Sequence, residues 1–559
     1  MRVTSFAPRS RAGATARWIG IAAFLLYAVS GGGRIVGSDE VTMLELARAM
    51  LRGGIAVPEG ATLEGPDGRH YTKNAATQAV AALPLVAAGV AAARAARLSP
   101  ARQALAVRFV ASFFNAIVTA VLLALFYGFA RRLGVRPRRA LAGTLLLGLT
   151  TPLWVYAKSF MAEPLQALGL LLALEGYAGA GGAGAAGDPG AAPVSAGSAR
   201  AAFLGTLLAV SAKLSMVWLV AGIGVALAGR PLKAWIAPVL GGAAALAGHA
   251  LYDFARFHTP FETGYGAQAT WAAYTTPLLT GLYGLLISSG KGVLWFAPAL
   301  WLAVVHWRAW AQAGRGPGPL PAPAGRGGFW SRLGTASPAR RAGWGACGAA
   351  AMALWLYGRF QHWAGDGSFG PRYLIPILPP AFLLVTLVLE HGPRSARRLA
   401  VLLGALGFLV QAGGVAIYFG AQMREAGDYP YTLPLDDPRF MSDSHFNPRF
   451  TPIAGHWKLL LRNAGEHLRG REPKLEIGGD AGAPATAADT SRIASTAARL
   501  GIAAEGQREL LHALDFWWLY LGYAEFPKGA VRGAAAALGL AALAAAWQAW
   551  RAARAEAGA

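Results

Sequence analysis

The sequence predicts an all-α polytopic membrane protein with about 12 membrane-spanning helices. Of its 559 residues, 55% are hydrophobic and only 14% are charged, and the mean hydropathy is +0.39. Apolar runs of roughly 20 residues recur along the chain, which is the length that a helix needs to cross a bilayer. This composition excludes a single ordinary soluble domain.

The net charge of +23 indicates topology rather than an anionic partner. The basic residues lie in short blocks between the apolar runs, as in cytoplasmic loops, whereas a nucleic-acid partner would require a basic face or tail. We therefore expect no nucleic-acid partner. The blocks assigned to the cytoplasm are the N-terminus and residues 131–139, 230–233, 308–341, 394–398 and 551–554. The lone Cys347 excludes an intramolecular disulfide.

Because the basic blocks are placed on the cytoplasmic side, they determine which apolar runs cross the membrane and in which direction. The first span, residues 18–29, follows four arginines and lacks a small-residue cleavage site, so we expect it to stay uncleaved. If the run at 102–130 ends at the block 131–139, residues 75–93 cannot cross, and we expect them along the outer leaflet. Residues 201–229 must return to the cytoplasmic side, which predicts a hairpin with Lys213 at its outer tip. The other predicted spans are residues 140–156, 163–178, 234–254, 278–307 with a broken first part, 343–361, 373–389, 399–419 and 530–550.

The chain divides into three predicted parts. Residues 1–420 form the membrane domain, whose first outer loop is residues 37–103. Residues 421–527 form an exterior segment, with a low-complexity stretch at 478–490. Residues 528–559 form a last membrane helix and a cytoplasmic tail. We expect the exterior segment to be small and partly ordered rather than an independent catalytic domain.

Two adjacent acids, Asp39 and Glu40, follow the first span and open a stretch in which Leu44, Ala47 and Leu51 recur at helical spacing. One interpretation is helix capping, with Ser38 or Asp39 as the N-cap. The other is general base chemistry, because a carboxylate beside a membrane cavity can remove the proton of an acceptor hydroxyl.

Four cations and one further acid are further candidate site residues. Lys73 can anchor the chain at the lipid boundary or bind a lipid phosphate. Lys213 interrupts an apolar hairpin, where an ionisable group costs at least ~2.5 kcal/mol unless water or a counter-charge meets it. Lys291 lies between two glycines and can either bind phosphate or mark a re-entrant turn. The remaining two residues are Arg372, before a proline-rich span, and Glu163, which opens a span.

Several motifs are absent from the sequence: a Walker loop, HExxH, CxxC and a dinucleotide fingerprint. Their absence argues against ATP-driven transport, zinc protease chemistry and soluble nucleotide-sugar binding. The candidate phosphate-binding residues all fall outside, away from cytoplasmic nucleotides. A sugar donor that reaches them must therefore be carried by a lipid.

The first outer loop resembles that of the GT-C superfamily of membrane glycosyltransferases, especially the family 39 protein mannosyltransferases and the lipid A aminoarabinose transferases. The matching features are the Asp39-Glu40 pair, the run ARAML from Ala47, the Val57-Pro58 step, and the sequence containing Gly68, Tyr71 and Lys73. Further along, Glu163, Lys213 and the run RYLIPILP from Arg372 match the family's pattern. The chain departs from it where Asn74 and Leu214 replace a proline and a glycine, and where Glu163 replaces an aspartate.

The resemblance implies a GT-C-like bundle with outer-face jaw helices in the first periplasmic loop. It also implies Asp39 as the catalytic base and Lys73 as a phosphate-binding lysine. From the residues themselves, we expect Glu40 or Glu163 to assist Asp39, and Lys213, Lys291 and Arg372 to stabilise the departing lipid phosphate. A divalent cation, Mg²⁺ or Mn²⁺, held by Asp39 and Glu163 agrees with the oxygen-rich ligands but is not required.

We therefore expect an inverting hexosyl or pentosyl transferase in the bacterial inner membrane, with its site facing the periplasm. Its partners would be a polyprenyl-phosphate sugar donor and a lipid, glycan or protein acceptor. Two alternatives remain open at this point. A secondary transporter should show two similar halves, which the sequence lacks. A non-catalytic flippase or scaffold would bind lipid-linked sugars without transferring them.

Overall fold

The computed structural model describes residues 11–59, 62–180, 194–313, 336–365, 367–426, 442–473, 510–524 and 526–558. Across these ranges the fold is helical apart from one two-stranded antiparallel ribbon, β1 (Leu63–Glu64) and β2 (His70–Tyr71). In this ribbon Leu63 lies opposite Tyr71. The predicted all-α class is thus confirmed.

The helices of the first half of the chain surround a continuous apolar core. They are α1 (Arg11–Val29), α2 (Ser38–Met50), α3 (Thr77–Ala95), α4 (Pro100–Ala111), α5 (Phe114–Arg132), α6 (Pro137–Leu149), α7 (Leu153–Ala157), α8 (Glu163–Gly179), α9 (Ala196–Ala212), α10 (Met216–Ile223) and α11 (Lys233–Phe257).

The second half contains more short and broken helices, because glycine and proline interrupt its apolar runs. They are α12 (Leu278–Ile287), α13 (Val293–Phe296), α14 (Leu300–Val305), α15 (Trp307–Ala311), α16 (Pro338–Arg359), α17 (Leu378–His391), α18 (Arg394–Ala416), α19 (Phe419–Ala426), α20 (Ser442–Phe446), α21 (Pro452–Leu468), α22 (Trp517–Tyr523) and α23 (Lys528–Ala557). Short 3₁₀ helices lie at Gly224–Leu227, Gly266–Ala269, Trp271–Ala273, Arg372–Ile377, Pro448–Phe450 and Leu510–His512.

Within the described ranges, seven helices are long and apolar enough to cross a membrane. They are Arg11–Val29, Thr77–Ala95, Arg102–Arg132, Lys233–Phe257, Arg372–His391, Arg394–Ala416 and Lys528–Ala557. Shorter apolar helices are Ala196–Ala212, Met216–Leu227 and Leu278–Ile287. These findings support a multi-pass membrane protein, and the total of about twelve spans stays a prediction.

The apolar stretch at 75–93 forms α3, which has the length and composition of a span. It pairs with α4 in an antiparallel hairpin, since Gly89 lies against Val107 and the Gln78 side chain, near the start of α3, reaches Asn115, near the start of α5. Our expectation that this stretch lies along the outer leaflet stays a prediction.

One end of the bundle, called the inner end here, collects the arginines of the block 131–139. Arg131 pairs with Glu556 at 2.5 Å, Arg132 with Glu175 at 2.6 Å, and Arg136 with Glu390 at 2.6 Å. The buried Arg341 donates to the carbonyls of Ala178 and Ala180 at the end of α8, where the helix dipole favours a cation. Because α8 ends here, its first residue, Glu163, lies at the opposite, outer end.

At the outer end, part of the exterior segment packs on the first span. Asp515 accepts from Arg34 at 2.7 Å and pairs with Lys158 at 2.6 Å, and the Arg34 guanidinium lies over the rings of Tyr418 and Tyr520. The indole of Trp517 donates to the last turn of α1. The low-complexity stretch at 478–490 lies outside the described residues.

Glycine lets α8 and α9 approach each other closely. A Cβ atom on Gly205 would lie 2.1 Å from the backbone nitrogen of Ala173, and one on Gly176 would lie 2.2 Å from that of Ala202. Side-chain atoms cannot occupy these positions, so the two backbones pack in direct contact, as small residues permit in membrane helices. This contact fixes Lys213, just after α9, beside the start of α8.

We expect Gly205→Ala to lower the melting temperature of the purified protein, because overpacking between two backbones costs about 1–3 kcal/mol. Gly248→Ala is the matched control, since a Cβ on that exposed helix position would meet no atom within 4 Å. Differential scanning fluorimetry in detergent measures both variants. Equal melting temperatures for the two would contradict the close contact of α8 and α9.

Candidate functional site

The first outer loop places Asp39 in the first turn of α2. The N-cap of this helix is Gly37, so the expectation of an N-cap at Ser38 or Asp39 was wrong by one or two residues. Glu40 reaches back to cap the helix, since its Oε2 accepts from the backbone N–H of Gly37 at 2.8 Å. Its Oε1 accepts from the backbone N–H of Phe160. Glu40 thereby fastens α2 to the segment before α8, and Asp39 is left to face the neighbouring cations.

Arg372 joins Asp39 to Glu163. Its Nη2 donates to Oδ2 of Asp39 at 3.1 Å, and its Nε donates to Oε1 of Glu163 at 2.6 Å. Glu163 is buried, with 2% of its surface exposed, and its Oε2 has no hydrogen-bond partner among the described atoms. The planar guanidinium suits this task because its donors point in two fixed directions. Residues separated by more than 300 positions thus form one ionic group.

Lys73 adds a second positive charge beside Asp39. Its Nζ lies 3.7 Å from Oδ1 of Asp39, and it lies 5.6 Å from the centre of the Tyr265 ring. The chain next to Lys73 is fixed by the buried Arg256 of α11, which donates to the carbonyl of Thr72. Gly264 has a φ of +81°, and a Cβ there would come within 3.3 Å of the Lys73 backbone, so glycine permits this approach.

The charges around Asp39 hold it in the ionised form. Burial alone would raise the pKa of Asp39, but Arg372 and Lys73 outweigh that effect and lower the pKa from 3.8 to about 2. A carboxyl with a lowered pKa stays charged at neutral pH and loses its charge only as the pH falls towards 2. Asp39 is therefore a proton acceptor at physiological pH.

Lys213 lies on the same side of the bundle, at the break between α9 and α10. Its backbone is extended there, with φ of −161° and ψ of 126°. Its Nζ lies 4.4 Å from the ring centre of Tyr373, the residue after Arg372, and 5.9 Å from that of Tyr357. These two rings stack at 4.7 Å. The predicted position of Lys213 at the outer end is consistent with these contacts.

Lys291 contacts the loop that precedes Arg372. Its ammonium donates to the carbonyl of Ser368 at 2.6 Å and to the Ser368 hydroxyl at 3.2 Å, and 1% of its surface is exposed. Ser368 belongs to the loop that leads into Arg372. The backbone N–H of Gly290 in the same turn donates to the carbonyl of His445. Lys291 therefore fixes the loop that presents Arg372.

Asp39 and Glu163 were the oxygen ligands considered for a divalent cation, and a cation held by them stays a prediction. Asp39 and Glu163 both accept from Arg372, so the guanidinium occupies the position between their carboxylates. Over the described part of the chain, no group of three or more His, Cys, Asp or Glu side chains is placed to hold a metal ion. A cation at this position would face the positive charge of Arg372 directly.

Sequence reasoning did not identify two residues that border the site. The hydroxyl of Tyr265 donates to Oδ1 of Asn74 at 3.4 Å, and the Nδ2 of Asn74 donates to Thr42 on α2. Tyr265 belongs to the run RFHTPFETGYG, whose aromatic and glycine content was a usable signal. Asn74 directly follows Lys73, where the resembling family has proline.

The arrangement can bind an anion and can accept a proton. Lys73, Lys213 and Arg372 carry positive charge on one side of the bundle, so they can attract an anionic group such as a phosphate. Asp39 is an ionised carboxylate, 20% exposed, that can accept a proton. The two capacities meet at Asp39, since Lys73 and Arg372 both contact it.

Comparison with known proteins gives one similar structure. No protein-family model matches the sequence, and no curated protein matches it. The chain is similar to the crystal structure of ArnT from Cupriavidus metallidurans bound to undecaprenyl phosphate, with 15% sequence identity and a TM-score of 0.45. The similarity covers 89% of this chain and 76% of that chain.

We expect Arg372→Met to destabilise the protein by on the order of 3 kcal/mol, because it leaves two poorly hydrated carboxylates without their shared partner. The double variant Arg372→Met with Glu163→Gln should recover part of this loss, since it removes one of the two charges. Thermal unfolding in detergent measures both.

Lys458→Met is the control for this experiment, since it removes an exposed partner of Glu425. Exposed ion pairs contribute about 0–1 kcal/mol, so its melting temperature should change little. If Arg372→Met changed the melting temperature no more than Lys458→Met does, the ionic group would not support the fold.

Proposed function

We propose that the protein is a glycosyltransferase that moves a sugar from a polyprenyl-phosphate donor to an acceptor hydroxyl at the outer face of the bacterial inner membrane. The observation that carries the proposal is the group of Asp39, Arg372 and Glu163, with Lys73 and Lys213 beside it. The GT-C resemblance of the sequence implies the same activity. The acceptor is a lipid, glycan or protein that presents a hydroxyl on that side.

The cations would bind the donor phosphate. During transfer the bond between the anomeric carbon and the phosphate oxygen breaks, and the lipid phosphate leaves with the electron pair. Positive groups that are already in place stabilise this developing charge without reorganisation, which is usually the largest contribution to catalysis. Arg372 and Lys213 are held by neighbouring carboxylates and rings, so both would be preorganised for this task.

A chain of aromatic rings favours a lipid-linked donor over a free sugar phosphate. Trp218, Trp271 and Trp355 are partly exposed and contact one another, with ring centres 6.0–6.3 Å apart. From Trp271 the contacts continue through Tyr274 and Phe360 to Tyr373, beneath Lys213. The successive ring centres are 5.3, 5.5 and 6.0 Å apart. An apolar tail can follow such a path while its phosphate stays at the lysine.

Asp39 would act as the general base. It would take the proton of the acceptor hydroxyl as the oxygen attacks the anomeric carbon from the face opposite the phosphate, so that the configuration inverts. Its low pKa makes it a weak base in the free protein. Donor phosphate would share the charges of Arg372 and Lys73, which raises the pKa of Asp39 when substrate is bound.

We propose supporting roles for three of the expected site residues. Glu40 would act through the backbone of α2, since both of its oxygens accept backbone N–H groups. Lys291 would act through the loop that carries Arg372. Glu163 would orient Arg372 and balance its charge. The proposed mechanism assigns no step to a divalent cation, because the guanidinium of Arg372 lies between the two carboxylates.

We expect Asp39→Asn to lower sugar transfer at least ~100-fold, because general base catalysis commonly contributes about 10²–10⁴-fold. The assay uses purified protein in proteoliposomes, a panel of radiolabelled polyprenyl-phosphate sugars and a membrane-lipid extract as acceptor. Glu64→Gln, an exposed acid in the same outer loop, is the matched control and should retain full activity.

Three outcomes distinguish the candidate functions. Transfer by the wild-type protein and the control, with none by Asp39→Asn, would support the transferase and its base. Binding of the lipid-linked sugars without transfer in the wild type would favour a scaffold or flippase. Wild-type activity in Asp39→Asn would remove this residue from the mechanism.

We expect Lys73→Met to move the acidic limb of the profile of kcat/KM against pH to higher pH. Lys73 favours the ionised form of Asp39, so its loss raises the pKa of that carboxyl, and the base is then protonated at a higher pH. Transfer rates between about pH 2 and pH 6 measure the shift, because kcat/KM reports the free protein, in which the pKa of Asp39 is about 2. Arg69→Met, an exposed cation of the same loop, should leave the limb in place. An unmoved limb in Lys73→Met would exclude the electrostatic coupling to Asp39.

A further inference from the structure

The chain between α7 and α8 is not helical, although it passes between buried helices. This connecting segment, residues 158–162, leads directly into Glu163. The carbonyls of residues 159–161 accept no backbone hydrogen bond, and a buried carbonyl without any partner would cost free energy. Side chains from other helices satisfy them instead, and these side chains therefore determine where α8 begins.

Two buried amides supply the donors. The Nδ2 of Asn115, on α5, donates to the carbonyl of Ser159 at 2.9 Å and to that of Met161 at 2.6 Å. The Nε2 of Gln78, on α3, donates to the carbonyl of Phe160 at 3.2 Å and contacts Oδ1 of Asn115 at 3.4 Å. Both residues are fully buried, with 0% and 1% of their surfaces exposed.

The same segment is fixed at two more points. Glu40, next to Asp39, accepts from the N–H of Phe160. Lys158 pairs with Asp515 and donates to the carbonyl of Val415 at 2.5 Å. Three consecutive carbonyls and one N–H are thus held by groups from α2, α3 and α5. The carboxylate of Glu163 follows two residues after Met161, so its reach to Arg372 depends on this geometry.

We propose that Asn115 and Gln78 are positioning residues of the transferase, which hold the connecting segment so that Glu163 meets Arg372 at the correct distance. This inference rests on the proposed function for its kinetic consequence. Neither residue touches the charged group itself. Both act through the backbone, because one amide that binds two carbonyls fixes their relative orientation as well as their position.

Positioning matters here because the ionic group of Asp39, Arg372 and Glu163 tolerates only a small displacement of its members. Groups that stabilise a transition state must be held within about 0.5 Å, and a misplacement of about 1 Å can lower the rate by ~100-fold. Arg372 is shared between Asp39 and Glu163. A displaced Glu163 would release Arg372 to move towards Asp39, and the cation would leave the position where the donor phosphate forms its negative charge.

Asn115→Leu tests the proposal, since leucine keeps the approximate volume and removes the amide. We expect kcat to fall about 10- to 100-fold with the donor KM changed less than threefold, because transition-state alignment is lost while the binding groups remain. Gln78→Met, a second near-isosteric change, should act in the same direction. Asn115→Gln keeps an amide donor and should recover part of kcat.

Thr119→Val is the matched control on α5. Thr119 is fully buried one turn from Asn115, and its hydroxyl has no hydrogen-bond partner among the described atoms. It should leave kcat and KM unchanged. A merely structural role of the amides would lower the melting temperature while kcat per folded molecule stays at the wild-type value. That result would overturn the proposal.

A second measurement does not depend on transfer. Amide hydrogen exchange of the peptide that contains residues 158–163 should be faster in Asn115→Leu and Gln78→Met than in the wild type and Thr119→Val. Unchanged exchange in both amide variants would overturn the proposal even if activity fell. If the wild-type protein transferred no sugar from any donor, the proposed function would fail, while faster exchange would still support the positioning of Glu163.

Discussion

The guanidinium of Arg372 is the contact on which the outer end of the protein depends. It binds Asp39 from the first outer loop and Glu163 at the start of α8, while its own backbone belongs to the 3₁₀ helix that leads into α17. Three distant parts of the chain therefore meet at one cation. A single lysine could not replace it, because its ammonium does not offer two donors in fixed, divergent directions.

Much of the surrounding structure satisfies backbone groups that the membrane leaves without water. Buried side chains from other parts of the chain bind these groups. Arg341 caps the end of α8, Asn115 and Gln78 hold the segment before it, and Lys291 holds the loop before Arg372. These four side chains bind the chain at points where helices start, stop or break. The pairing of these backbone groups also explains why several buried polar side chains lie next to the candidate site.

The residue types and their positions relative to the apolar runs singled out three residues that the structure brings together. Asp39, Glu163 and Arg372 stood at predicted outer ends of spans, and the structure joins them. Glu40 and Lys291 had the same sequence signals, yet they bind backbone groups instead. Sequence spacing cannot distinguish a charged residue that joins the ionic group from one that binds a backbone group, because the partner of each charge is remote in the chain. Tyr265 and Asn74 were missed for the same reason.

The sequence by itself determined the class of the protein, since its apolar runs can only be buried as helices in a bilayer and its arginine blocks select the inner end. It also predicted that several acids and cations lie at one end of the bundle. Tertiary structure decided which of them meet. The close contact of α8 and α9 places Lys213 beside the start of α8, and the amides of Asn115 and Gln78 set the position of Glu163. Such contacts depend on distances between helices, which are set by packing and are not encoded in any local pattern.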